Sequence, residues 1–169
     1  MKRYLLLTAL SLLMVGAYAQ QYDHSGGIRM GYTSGLTYKK FIHKEEAVEL
    51  LLSGRESGIQ LTGIYTFHQP MEVSFNENFY IFYGLGMHVG YEKYSNLRRV
   101  VTSFDPPTYA YEQENYFVMG ADAILGVEYR WLSVPVTFSF DIKPYFNFIG
   151  MRYAKVRFWD AALSVKYVF

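Results

Sequence analysis

Apolar and polar residues alternate with a period of two along most of this chain, and no other feature restricts its fold as much. Between Phe158 and Phe169, the residues Trp159, Ala161, Leu163, Val165, Tyr167 and Phe169 hold every second place, and Asp160, Ala162, Ser164, Lys166 and Val168 lie between them. From Phe117 to Trp131, the residues Phe117, Met119, Ala121, Ala123, Leu125, Val127, Tyr129 and Trp131 oppose Gly120, Asp122, Gly126, Glu128 and Arg130. Val118 and Ile124 are apolar exceptions on that second face. Val136 to Phe148, Phe79 to Tyr91 and Ile59 to Phe67 repeat the pattern. Successive side chains of a strand point to opposite faces, so each segment reads as a strand with one apolar and one mainly polar face. Helical spacing does not recur.

The front of the chain is less regular. Ile28, Met30 and Tyr32 alternate with Arg29, Gly31 and Thr33, Ser34-Gly35 offers a tight turn, and Leu36 to Ile42 reads as the next strand. Residues 26–43 also fit one bent strand. Ala47 to Arg55 lies beside a helix-prone run from Glu45 to Leu52, yet Val48, Leu50 and Leu52 oppose Glu49, Leu51 and Ser53, which predicts a strand. The longest connection, Glu92 to Tyr116, and a loop near Arg152 to Arg157 fall on one side. The Leu132-Ser133 turn and the Gln69 to Asn78 connection fall on the other. Eight strands put both ends of the chain on the same side, and this parity favours the Ser34-Gly35 turn.

Residues 1–19 read as a cleaved secretory signal: Lys2 and Arg3, an apolar stretch from Leu5 to Val15, then Ala17-Tyr18-Ala19 as a small-x-small site. The stretch is shorter than the roughly 20 residues of a spanning helix. Residues 20–169 then form one domain. Cysteine is absent, which excludes disulfides and thiolate metal sites, and a formal net charge of +1 gives no case for nucleic acid. Aromatics make up 19% of the chain, and 17 of them are Tyr, a load suited to interfaces where ring and hydroxyl meet different surroundings.

A soluble sandwich would turn its apolar faces inward. Here the bulky rings share one face, while Gly, Ser, Thr and mixed charges share the other. Small polar residues suit the crowded interior of an eight-stranded barrel and large rings suit a lipid-facing wall. In lipid the sheet must close, because an open edge leaves unpaired backbone groups. The predicted fold class is all-β: an eight-stranded antiparallel transmembrane β-barrel in up-and-down meander order. From Ser25 to Phe169, in strand count, alternation and the Leu163-x-Val165-x-Tyr167-x-Phe169 ending, the chain resembles the small, porin-like outer-membrane barrels of the OmpX and OmpA-barrel type from Gram-negative bacteria. That resemblance implies an outer-membrane location after secretion to the periplasm. It also implies outer-membrane lipid as surroundings, and Leu163, Val165, Tyr167 and Phe169 as the signal read by the barrel-assembly machinery.

By face, Arg29, Lys39, Glu49, Asp122, Glu128, Arg130, Asp141, Lys143, Asp160 and Lys166 should point inward, five of each sign, as a compensated plug. Leaving any one unpaired there would be costly. Among the histidines, His88 lies inward near the outer rim, within reach of Glu92 or Asp122, with no Ser partner identified. His68 lies at the periplasmic end of its strand, and His24 and His43 read as turn residues. No His and carboxylate spacing suits a metal, and no cofactor is expected. In the long loop, Arg98, Arg99, Phe104, Tyr109 and Tyr111 are candidates for contact with a surface protein or glycan, although some outer residues could simply extend strand pairing. The expected role is structural or surface-interacting and non-enzymatic. A narrow pore or route for small hydrophobic molecules is the alternative, and an enzyme acting on outer-membrane lipid the third.

Overall fold

The computed structural model describes residues 22–55, 58–71, 78–100, 108–131, 133–149 and 153–169. Its strand segments in chain order are β1 His24–Gly31, β2 Ser34–Phe41, β3 Glu46–Arg55, β4 Gly58–Pro70, β5 Phe79–Val100, β6 Thr108–Trp131, β7 Val136–Ile142, β8 Tyr145–Ile149, β9 Tyr153–Arg157 and β10 Ala161–Val168. Consecutive segments from β1 to β7 pair antiparallel, and β1 pairs with β10 from Ser25↔Val168 to Gly31↔Ala162, so the sheet closes on itself. β6 pairs with both β7 and β8, while β8 pairs with β9 and β7 with β10. The last four segments are therefore halves of two strands, and the barrel is an eight-stranded meander.

The seventh strand breaks where Pro144 removes a backbone donor. Its carbonyl still accepts from Ala123 N–H at 2.9 Å, and Lys143 N–H donates across to the Asp160 carbonyl at 2.9 Å, where the eighth strand breaks as well. The two interruptions thus face each other and the ladder carries on around them.

Alternation becomes an inside-out distribution of polarity. Leu85 and Met87 expose 72% and 74% of their surface, whereas Arg29, Lys39, Lys143 and Asp160 expose 2% or less. Rings on the outer wall gather at two levels. Near the mouth that holds Tyr22 and Phe169, here the terminal mouth, Phe67 lies 5.3 Å from Tyr65 and 5.7 Å from Tyr83, and Phe169 lies 6.4 Å from Tyr167. Towards the other end, the hairpin mouth, Tyr91 meets Phe117 at 5.6 Å. Between the levels the wall carries Leu61, Leu125 and Leu163. A small apolar cluster, Ile64, Phe82 and Ile124, sits inside.

Two glycines make that interior possible. A Cβ on Gly126 would stand 2.5 Å from both Phe82 Cζ and the Phe140 carbonyl, and one on Gly120 would stand 2.6 Å from His88 Cε1 and closer still to the Phe146 carbonyl, so each leaves room for a ring on one side and a strand backbone on the other.

Several expectations shift. Residues 26–43 form two strands, but the turn lies at Tyr32-Thr33, where the Ser34 hydroxyl donates to the Gly31 carbonyl at 2.7 Å; Gly35 is already paired with Arg29 in β2. His24 opens β1 rather than lying in a turn. The Arg152 to Arg157 loop is mostly β9. Much of Glu92 to Tyr116 is strand as well: β5 and β6 stay in register from Phe79↔Tyr129 to Val100↔Thr108. Neighbours drop away earlier, with β4 last paired at Ile59↔Tyr91 and β8 at Val118↔Ile149. From Lys93 and Phe117 outward, among the described residues, the pair stands as a two-stranded hairpin. The expected signal, residues 1–19, lies outside the described residues.

Candidate functional site

The lumen holds the charged groups, and the strand parity that turns rings outward turns these inward. At the terminal mouth and in the middle, Lys39 Nζ lies 2.9 Å from Glu128 and 3.4 Å from Glu49, and Lys166 Nζ lies 2.6 Å from Glu49. Thr37 donates to the same Glu49 carboxylate. Arg130 Nε donates to Glu128 at 3.1 Å. His68 Nε2 stands 3.1 Å from Lys39 Nζ, and its ring stacks on Phe82 at 5.4 Å. Lys39 on β2 and Glu128 on β6 sit on opposite walls of the ring, so this pair crosses the lumen.

Towards the hairpin mouth a second set forms around Asp160. Arg29 reaches Asp141 at 2.6 Å and Asp160 at 3.3 Å, and Thr33 donates to Asp160 at 2.5 Å. Lys143 Nζ bridges Asp122 at 2.9 Å and Asp160 at 3.5 Å. His88 Nδ1 lies 2.5 Å from Asp122, one of the two carboxylates weighed as its partner. Its Nε2 has no hydrogen-bond partner among the described residues.

The ten charges expected inward thus fall into two networks, and their signs do not balance within either. The lower network joins three cations (Lys39, Arg130, Lys166) to two carboxylates (Glu49, Glu128). The upper joins two cations (Arg29, Lys143) to three carboxylates (Asp122, Asp141, Asp160). Among these ten the signs balance, with a surplus positive charge near the terminal mouth and a surplus negative one towards the hairpin mouth, where the buried Glu92 adds a further carboxylate.

Sequence parity missed Tyr22, which precedes β1. Its hydroxyl donates to Glu128 at 2.6 Å, and burial together with that carboxylate raises its pKa far above the ordinary tyrosine value. Nothing in the local pattern marks it. Thr33 and Thr37 share the inward parity of Arg29 and Lys39, and that signal was there to be read. Of the loop candidates, Arg98 and Arg99 belong to β5 and Tyr109 and Tyr111 to β6, paired Arg98↔Ala110, Arg99↔Tyr109 and Leu97↔Tyr111; Phe104 lies outside the described residues. Leu163 and Val165 are exposed on β10, and Phe169 stacks on His24 at 5.9 Å while its N–H donates to the His24 carbonyl at 3.0 Å, tying the seam.

Pairing and polarity together define the class: a closed eight-stranded antiparallel β-barrel with an apolar wall and a charged interior. Neither a family model nor a curated protein matches the sequence. Among solved structures, the chain is similar in shape to the N-terminal β-barrel domain of Pseudomonas aeruginosa OprF, with a TM-score of 0.46 and 12% identity over 89% of this chain and 100% of that one.

Proposed function

We propose that the chain is an integral outer-membrane β-barrel protein, delivered by a cleaved signal at residues 1–19 and non-enzymatic. In this reading its lumen is plugged and its surface hairpin meets other molecules. The observation that carries this is the inversion of polarity on a closed sheet. A wall with Leu85 and Met87 almost fully exposed, banded by rings at two levels, around an interior of buried ion pairs suits hydrocarbon outside. Pairs such as Lys39–Glu128, which cross the lumen, argue for a plug over a pore. The outward hairpin supplies the surface for interaction: β5 and β6 stay paired with each other from Lys93↔Asn115 to Val100↔Thr108, beyond Ile59↔Tyr91 and Val118↔Ile149, where the described pairing with β4 and β8 ends.

Replacing residues 97–111 with a short Gly-Ser linker tests the role. The barrel should still refold, seen as a heat-modifiable gel band, while attachment of cells to surfaces or neighbours is lost. Unchanged attachment with intact folding leaves a purely structural barrel. Planar bilayers test the plug: steady channel currents from the purified protein would replace it with the pore reading.

A further inference from the structure

We propose that the terminal mouth carries a binding site for a small monocarboxylate, centred on Arg130. A half-open cavity of about 320 Å³ is lined there by Tyr22, Phe41, Lys44, Asp23 and Arg130 among others, within the size range of small-ligand pockets. Arg130 is the unusual group in it. Its guanidinium packs against three rings, 3.7 Å from the centre of Tyr80, 4.8 Å from Tyr22 and 5.4 Å from Phe41. One donor, Nε, is spent on Glu128 at 3.1 Å. Nη2 is buried and has no hydrogen-bond partner among the described residues.

An unspent N–H on a guanidinium whose side chain is only 13% exposed is costly unless an acceptor reaches it. Glu128 cannot supply enough charge, because it already faces Lys39 at 2.9 Å and accepts from Tyr22 at 2.6 Å. The lower network carries one cation more than it has carboxylates, and Arg130 is the member at its open end. On the rim, Asp23 offsets Lys44 and so leaves that surplus where it is. One negative charge completes the network.

The chemistry selects the anion. A planar, weakly hydrated guanidinium suits a carboxylate, and a dianion would reverse the surplus instead of cancelling it. Phe41 and Tyr22 give an apolar bed for the stem that bears the carboxylate. A compact acid with an aromatic or branched stem fits better than an inorganic ion.

The test is an NMR titration of refolded protein in detergent micelles, with labelled arginine and tyrosine, at constant ionic strength. Benzoate is the probe and benzamide its neutral counterpart. Benzoate should shift the Arg130 and Tyr22 signals saturably, and benzamide should not. Arg130→Gln should weaken benzoate binding by about tenfold, the loss of one charge-assisted hydrogen bond. Lys44→Gln, on the exposed rim, keeps the interior intact and should change it far less. Equal shifts with benzamide, shifts confined to residues away from the cavity, or no saturable shift would each overturn the proposal. The wild-type comparison stands by itself should Arg130→Gln fail to refold.

Discussion

Removing one member of the Glu49–Lys166 pair should cost very different amounts depending on which member goes. The two are 2.6 Å apart and both buried. With Glu49→Gln, Lys166 loses the carboxylate it touches, and Lys39 and Arg130 are left to share Glu128. Breaking a buried pair so that a charge remains uncompensated costs about 3–5 kcal/mol. With Lys166→Met, Glu49 keeps Lys39 at 3.4 Å and the Thr37 hydroxyl, and the lower network falls to two cations on two carboxylates. That loss is nearer one buried hydrogen bond to a charged group, about 1.5–3 kcal/mol. The difference, about 2 kcal/mol, is about thirtyfold in the unfolding constant. Urea unfolding in phospholipid vesicles measures it, followed by the emission of Trp131 and Trp159, both on the outer wall. The double variant should be more stable than Glu49→Gln alone, because the stranded cation is gone. Equal costs, or a larger one for Lys166→Met, would refute the charge count on which the reasoning rests.

The upper network, with its surplus carboxylate, should behave in mirror image: Arg29→Met should destabilise more than Asp141→Asn, measured the same way, since the second leaves Arg29 with Asp160. Leu125→Arg, on the exposed wall between the ring bands, should cost about 2–4 kcal/mol at mid-depth; a fluorophore at 125 should report hydrocarbon and one at 128 should not, and the reverse would shift the register by one residue. Gly126→Ala should cost about 1–3 kcal/mol, because its Cβ would meet the Phe140 carbonyl as well as the Phe82 ring, and unchanged stability would mean that the β6–β7 backbone gives way there. Phe169→Ala should lower stability in vesicles by about 0.5–1.5 kcal/mol, the worth of its ring contacts; if the assembly machinery reads this residue, folded protein in cells should fall far below what that loss explains.

The sequence carried the barrel well because two-residue periodicity is a statement about faces, and faces are what a closed sheet sorts. Glu45 to Leu52 shows the strength of that signal: helix propensity favoured the other state, yet Glu46–Arg55 is a strand paired on both sides. Connections were read less well. Strand pairing needs no apolar face once the hairpin leaves its neighbours, so Lys93 to Val100 looked like loop although its backbone is laddered. Ser34-Gly35 has turn chemistry, but register with β3 places Gly35 beside Ser53 inside the sheet, and the turn moves back two residues. In the candidate site, parity reveals which charges face inward and is silent about partners. Asp122 shares its parity with Glu128, yet one joins Lys143 and the other Lys39, because depth along the axis decides.

The charged interior is also a consequence of the route such a wall imposes. Strands apolar on both faces would be continuous hydrophobic runs of the kind that read as membrane helices. Alternation brings the mean hydropathy of the chain to about zero while leaving one face largely apolar. The polar face must then be satisfied inside a narrow barrel, and ion pairs between strands that are not neighbours do this: Arg29 on β1 with Asp141 on β7, Lys39 on β2 with Glu128 on β6, Lys166 on β10 with Glu49 on β3. A slip of one residue in any of these strands would turn a charge onto the apolar wall and strand its partner in the lumen. The pairs therefore specify register and closure more than they add stability, and the cost of a slip is paid by two strands at once.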